Sequence, residues 1–523
     1  LAAKYGGFAV PAGFNPDTHV TPLADSQWWA TNEYVNNDNN FKRPTNFYVA
    51  AQADKMVESL KQAFARIVQD MRGSGGSFAS NTTKLETGAM TYQAQFYSGS
   101  WRGELVGYQV NQTTGALTQA WTAGSQFPAN FASRNIWINN AGTMERFTTT
   151  TQAPALGSQA VVNYIRGDRT NEAPNGSLLR TRQSVLGDII NSQPVYVGAP
   201  NPRLFYGTTF GGANKYGAFV QSKASRTPVI YVGANDGMLH GFNATTGAET
   251  FAFIPKEVIP RLARLTDPDY THEYFVDGDL TVADAYWGNA WRSVLVGTLG
   301  RGGKSVFALD VTDPANVKFL WEKNATDIPA LGNVLSKPVI AQVANGDWRV
   351  FLGNGPNSAG GNAQLISIRL DTGVVTTANT GVGSDNGLSG VNVWNSGTTE
   401  YADVVYAGDL KGNLWKLTNL SGTMTATSLL QASRGGTAQP ITAAPAVSRN
   451  PANGDLWVHF GTGRYLNEVD LSDTSVQTWY GIIDRGTAVT RADLREVDIE
   501  AEVAPTANSL GGRVVESVTG AVP

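Results

Sequence analysis

The 523-residue chain contains no cysteine, which removes disulfides, thiolate metal sites and cysteine nucleophiles together. Charge is scarce, with 16% Asp, Glu, Lys and Arg, and the formal net charge is -4. Lys and Arg are scattered rather than clustered, so nothing attracts nucleic acid or an anionic membrane surface. No stretch approaches the 18 or so consecutive apolar residues of a membrane-spanning helix, and residues from Leu1 onward show no charged n-region followed by an apolar h-region. The chain therefore reads as a mature or trimmed product without a membrane span. Histidine is limited to His19, His240, His272 and His459, none at metal-ligating i, i+4 spacing or beside a nucleophile motif. Walker-type, dinucleotide and G-x-S-x-G patterns are absent in credible context, which leaves no catalytic constellation.

What the chain has in abundance is glycine and aromatic residues: 57 glycines, 13 tryptophans and 10% aromatics overall, a mixture suited to short strands joined by tight turns. The stretch "YVGANDGMLHGFNATTGAE", Tyr231 to Glu249, returns as "YAGDLKGNLWKLTNLSG", Tyr406 to Gly422. Further copies begin near Tyr97, Val296, Leu352 and Val458. Their leading glycines Gly233, Gly297, Gly353, Gly408 and Gly461 lie 64, 56, 55 and 53 residues apart, close to a four-stranded propeller blade with its loops. Each copy reads strand, glycine turn, strand and then a TTG or DTG turn, the chemistry of antiparallel hairpins. The expectation is an all-β, quinoprotein-like β-propeller of seven four-stranded antiparallel blades over residues 86–523. Six copies are visible, and the seventh is placed around Ser192 to Gly207. Residues 1–85 are expected to form an irregular segment with one amphipathic helix, carried by Met56, Leu60, Phe64, Ile67 and Met71, that packs on the propeller.

Several strings together resemble the C-terminal propeller of the PilC/PilY family of type IV pilus tip-associated proteins: "LAAKYGGF" at Leu1, "VVNYIRGDRTNE" at Val161, "RQSVLGDIINSQPVYVG" at Arg182, and the repeats at Tyr231 and Val404. They occur in the family's order across essentially the whole chain. The resemblance implies a protein exported through the periplasm, held at the outer membrane or on the extracellular pilus tip, and needed for pilus biogenesis, retraction control and adhesion. Implied partners are minor pilins, a host or abiotic surface receptor, and an upstream N-terminal domain, often von Willebrand factor A-like, that this sequence does not include. The chain also stops before the last family segment, so the closing blade is expected to be incomplete or to be completed by N-terminal residues.

Similar proteins can carry a DxDxDGxxD-like calcium loop before the equivalent of "VYAGDLKGN". Here that run is Asn395 to Asp403, with oxygen donors available from Asn395, Thr399, Glu400 and Asp403, while Gly397 and Thr399 stand where inner carboxylates would be. The ligand count favours an ordinary loop, with no cofactor, over intact calcium binding. The tripeptide Arg166, Gly167, Asp168 invites a cell-adhesion reading, set against a turn-holding role. "DGDLTVAD", Asp277 to Asp284, is read as turn chemistry, and His272 with Glu273 and Asp277 as a weak acid/base group. His240 occupies the repeat position of Trp415 and Val106 and is read as a buried packing residue with a satisfied hydrogen bond. The leading function is a non-catalytic tip adhesin and assembly factor. The alternatives are a quinoprotein-type dehydrogenase, disfavoured by the missing cofactor ligands, and a rigid spacer for the N-terminal domain.

Overall fold

The computed structural model describes residues 29–34, 42–44, 74–81, 88–172, 178–397, 400–504 and 511–515. The chain divides into two units, residues 1–74 with 97–101, and residues 75–96 with 102–523. In the first, Trp29–Tyr34 and Lys42–Pro44 pair as antiparallel strands. The helix expected between Met56 and Met71 falls outside the described residues.

The second unit is a succession of antiparallel sheets. The first sheet contains Ser74–Ser80, Met90–Tyr97, Arg102–Val110 and Leu117–Thr122, beginning ahead of the expected boundary at residue 86. The second contains Val195–Val197, Val229–Gly233, Leu239–Asn243 and Glu249–Ile254. Its last strand is extended by Ile136–Asn140, which pairs parallel, and then by Thr143–Arg146. The third is Leu280–Trp287, Ala290–Thr298, Ser305–Asp310 and Lys318–Asn324. The fourth is Val339–Gln342, Trp348–Gly353, Gln364–Arg369 and Val375–Asn379. The fifth is Leu388–Trp394, Val404–Asp409, Asn413–Thr418 and Thr425–Gln431. The sixth has three strands, Ala446–Arg449, Leu456–Gly461 and Trp479–Ile483. Each of the six repeats seen in the sequence forms one sheet, in order, and the architecture is a β-propeller.

The stretch Ser192 to Gly207 is not a separate blade. Val195–Val197 pairs with Val229–Gly233 and is the first strand of the second sheet. The length that suggested an extra blade is taken up by the added hairpin, by helices Thr149–Leu156 and Gln159–Ile165, and by residues 198–228, which carry the helix Tyr216–Ser222. Residues 198–228 form a strap that lays Phe205, Phe210, Tyr216 and Phe219 over Trp291 of the third sheet, and Phe205 and Phe210 also meet Trp348 of the fourth.

Packing between sheets explains the repeat. Inner strands are buried on both faces, as in Val229–Gly233, where Ile230 and Val232 meet Tyr92 and Leu105 of the first sheet while Tyr231 joins the cluster holding Leu280 and Leu295 of the third. Three of the leading glycines sit where the chain of the next sheet crosses, while Gly297 faces Phe307 and Leu280 of its own sheet. A Cβ on Gly233 would meet the Val276 carbonyl oxygen, on Gly353 the Ser389 and Leu388 carbonyls, and on Gly408 the Ile441 side chain. Gly461, in the sixth sheet, meets only Trp479, at 3.8 Å.

The TTG and DTG turns have a second job. In the first two copies Asn111 and Asn243 accept backbone N–H groups two and three residues on, forming Asx turns that deliver Gly115 and Gly247 in the left-handed region. Trp121 of the first sheet lies over Gly247 of the second and donates Nε1–H to the Ala244 carbonyl at 3.2 Å. Trp321 of the third sheet repeats this over Gly373 of the fourth, bonding Leu370 O at 3.0 Å. Gly373 has φ +69° and its added Cβ would stand 2.9 Å from Trp321 Cγ. Gly373→Ala is therefore expected to cost about 1 to 3 kcal/mol, read as a lowered urea midpoint.

Candidate functional site

The Asn395 to Asp403 run does not converge on a common point. Asp403 accepts Ser396 N–H at 2.8 Å and also the Ser396 hydroxyl. Asn395 Oδ1 accepts Gly397 N–H at 2.7 Å. Glu400 turns away to the strap, where its carboxylate oxygens accept Thr209 N–H at 2.8 and 3.0 Å and the Thr209 hydroxyl at 3.1 Å. Thr399 lies outside the described residues. The two acids of the run thus serve different partners, one closing the loop and the other fastening a segment 191 residues away. Among the described residues no three His, Asp or Glu side chains gather as a metal-binding group.

Arg166, Gly167 and Asp168 follow the helix Gln159–Ile165. Arg166 is 9% exposed and directs its guanidinium inward to the Ala132 carbonyl at 2.9 Å. Gly167 adopts φ +109°, and Asp168 accepts Thr170 N–H and Oγ1–H at 3.0 and 2.8 Å. Arg182 donates to the Asp168 carbonyl at 2.9 Å and to Glu172 at 2.8 Å. The tripeptide is the exit of a helix, tied down on both sides.

Beside it lies a buried charge network that links Arg134 to the strands Leu239–Asn243 and Glu249–Ile254 of the second sheet. Arg134 grips Glu249 through two 2.7 Å bonds, with both side chains 2% exposed. Glu249 also meets His240 Nδ1 at 2.7 Å, and His240 Nε2 lies 3.1 Å from Asp236. Asp236 closes the chain by accepting Gly187 N–H at 2.9 Å. Burial disfavours the charge on His240, but Asp236 and Glu249 outweigh it and raise its pKa to about 9. Burial likewise opposes the Glu249 carboxylate, and Arg134 and His240 hold it down at about 2. His240 is fully buried, as its repeat position implied, though its partners are charged rather than neutral.

The proposed acid/base group around His272 is dispersed. His272 Nε2 pairs with Asp188 at 2.9 Å, Glu273 with Arg264 at 3.2 Å, and Asp277 with Asn191 N–H and Nδ2–H at 3.1 and 2.6 Å. Burial pushes Asp277 up to about 6. Nor is Asp284 a turn residue: it sits within a strand, buried, accepting Tyr216 O–H at 2.7 Å and Ser293 O–H at 2.6 Å, which anchors the strap. His272, Asp277 and Asp284 have partners 84, 86 and 68 residues away in Asp188, Asn191 and Tyr216, which no local spacing could signal.

No helix of the described residues is long and apolar enough to cross a membrane. A sequence model of the PilY1 beta-propeller domain matches residues 186–431 and 427–497. A type IV pilus biogenesis factor PilY1 homolog of Xylella fastidiosa is 52% identical over 504 residues, covering 95% of this chain and 41% of that relative. The type IV pilus biogenesis factor PilY1 of Pseudomonas aeruginosa strain PAK is 37% identical over 530 residues, covering 87% of this chain and 45% of its own length. The chain spans less than half the length of both relatives. The crystal structure of the Pseudomonas aeruginosa PilY1 C-terminal domain superposes with a TM-score of 0.51 at 37% identity, over 59% of this chain and 69% of that one. Since the propeller model accounts for more than half of the residues and the repeats it matches are the sheets described above, the chain belongs to the PilY1 β-propeller family.

Proposed function

We propose that this propeller is the docking module of a type IV pilus biogenesis factor, carried outside the cell at the pilus tip or at the outer membrane, where it contacts minor pilins and a surface through its loops. The observation that carries the reading is the family match across consecutive sheets. The role is one of binding: it regulates extension and retraction and mediates attachment, without catalysis. The architecture suits it, because sheet-to-sheet glycine contacts and tryptophan clamps hold the body while loops stay free to vary. The strap offers such a loop, with Phe205 packed on Trp291 while Tyr206 and Leu204 are 89% and 51% exposed. Attachment is assigned to loops of this kind rather than to Arg166, Gly167 and Asp168, because Arg166 is spent on the Ala132 carbonyl. Calcium is given no part, since Glu400 and Asp403 face different partners.

Immunogold labelling of intact cells and sheared pili with an antibody to the propeller tests this. Label at filament tips is the expected result. Protein found only free in the periplasm would overturn the assignment.

A further inference from the structure

The hairpin added to the second sheet, Ile136–Asn140 with Thr143–Arg146, stands beside the turn that leads into Lys318–Asn324 of the third sheet. Between the two lies a cavity of about 430 Å³, within the range of small-molecule sites. Phe251 is its most buried lining residue, 2% exposed, and Trp137, Met144 and Phe319 line it while only partly buried. Thr143, Asn316 and Lys318 are exposed in the same lining and bring a hydroxyl, an amide and an ammonium group to the mouth.

Both walls are fixed by their own bonds. Asn135 donates Nδ2–H to Thr250 O at 3.0 Å, and its Oδ1 accepts Trp137 Nε1–H at 2.8 Å together with an N–H of Arg146. Arg146 also donates to the Arg134 carbonyl at 3.0 Å, and its guanidinium lies over the Trp137 ring at 5.2 Å without entering the lining. The indole is therefore held from outside the cavity with its N–H already used, and what it offers a ligand is the ring. In the opposite wall Asp313 Oδ1 accepts Ala315 N–H and Asp313 O accepts Asn316 N–H, both at 3.0 Å.

The tip of the hairpin adds an independent sign. Ala141 and Gly142 have φ of +48° and +90°, the signs of a type I′ turn, and Gly142 donates its N–H to Asn139 Oδ1 at 2.8 Å. Ala141 carries a Cβ in a region that favours glycine, and strained residues of this kind gather at ligand clamps.

We propose that this cavity binds a neutral sugar, one pyranose ring seated against Trp137. Its lining holds a single charged side chain, Lys318, so it suits neither a metal ion nor a multiply charged anion. A wholly apolar ligand would strip water from the polar groups at the mouth and return no hydrogen bond. A pyranose meets both requirements: its C–H face packs on an aromatic ring, and its hydroxyls both donate and accept toward Thr143, Asn316 and Lys318. This inference stands apart from the pilus assignment and can fail or succeed without it.

Saturation-transfer NMR of the purified protein is the test, with the methyl β-glycosides of glucose, galactose and N-acetylglucosamine as probes. At least one should receive saturation, strongest on its C–H face, with a dissociation constant near about 1 mM, as expected for a ligand of this size. Trp137→Leu should weaken binding roughly tenfold or more, and Asn316→Ala about fivefold. Ala315→Trp places a large ring in the lining from an exposed turn position and should abolish transfer at an unchanged urea midpoint, so the result stands even if Trp137→Leu fails to fold. The proposal is overturned if none of the three glycosides receives saturation, or if transfer persists in Ala315→Trp, which puts the sugar elsewhere. It is overturned equally if only a sulfated glucoside binds and Lys318→Ala removes it, which means an anion site.

Discussion

Replacing Arg134 with methionine is expected to destabilise the propeller by about 3 to 5 kcal/mol, because it strands a buried carboxylate. Glu249 is 2% exposed and holds Arg134 through two bonds of 2.7 Å. Adding Glu249→Gln should recover part of the loss, since no charge is then left unpaired, and urea midpoints of the two variants decide it. A cost below about 1 kcal/mol would mean that water reaches the site. The same network sets a pH dependence. His240 has a folded pKa of about 9 against an ordinary 6.5, so its contribution is complete below 6.5 and is lost as pH rises through 9. Glu249, lowered to about 2 from 4.5, contributes fully above 4.5 and loses that contribution as pH falls through 2. Asp277, raised to about 6 from 3.8, also favours low pH and loses its share across that interval. The His240 part is isolated by comparing the protein with His240→Gln. The gap between them should narrow between pH 6.5 and 9, by on the order of 3 kcal/mol.

The propeller was legible because its long-range contacts leave local marks. A sheet can pass close to its neighbour only where Cβ is missing, so Gly233, Gly353 and Gly408 recur at the period of the blades. The Asx turns at Asn111 and Asn243 are local by construction, and the second of them carries Trp121 over Gly247. The family was legible for the same reason, from strings in fixed order. What stayed hidden has no period. Val195–Val197 is separated from its partner strand by the strap, so its three residues read as part of something else. Arg134 lies 115 residues from Glu249 in sequence, and nothing beside it announces that partner. Glu400 looked like part of a loop of acids, while its hydrogen bonds go to Thr209. In each case the residue type was visible and the partner was not, because the partner lies across an insertion of arbitrary length.

The sheets are also joined by side chains that the glycine pattern only brackets, and these should be the most sensitive positions in the body. Asn235, two residues after Gly233, accepts Phe275 N–H at 2.9 Å and donates to Asp188 at 2.7 Å, joining the segments that lead into the third and second sheets. Asn354, directly after Gly353, does the same with four bonds. Its Nδ2 donates to Ala330 O at 2.9 Å and Asn362 O at 2.8 Å, and its Oδ1 accepts Gln364 N–H at 3.0 Å and Leu388 N–H at 2.9 Å. It is 0% exposed, so water cannot replace any of them.

Asn354→Leu keeps the branched shape of the side chain in a larger volume yet orphans two carbonyls and two N–H groups, and about 4 kcal/mol or more should be lost. Asn354→Asp preserves both acceptor bonds while losing both donor bonds and burying a charge, so it should be no better tolerated. Because Leu388 opens the fifth sheet and Ala330 precedes the fourth, the loss should appear as faster hydrogen exchange in both sheets, while Val229–Gly233 in the second stays protected. Equal loosening of all sheets would instead mean that the propeller unfolds as one cooperative body, with Asn354 one contributor among many. A loss within about 1 kcal/mol of the parent would remove the staple from the account of how neighbouring sheets are held.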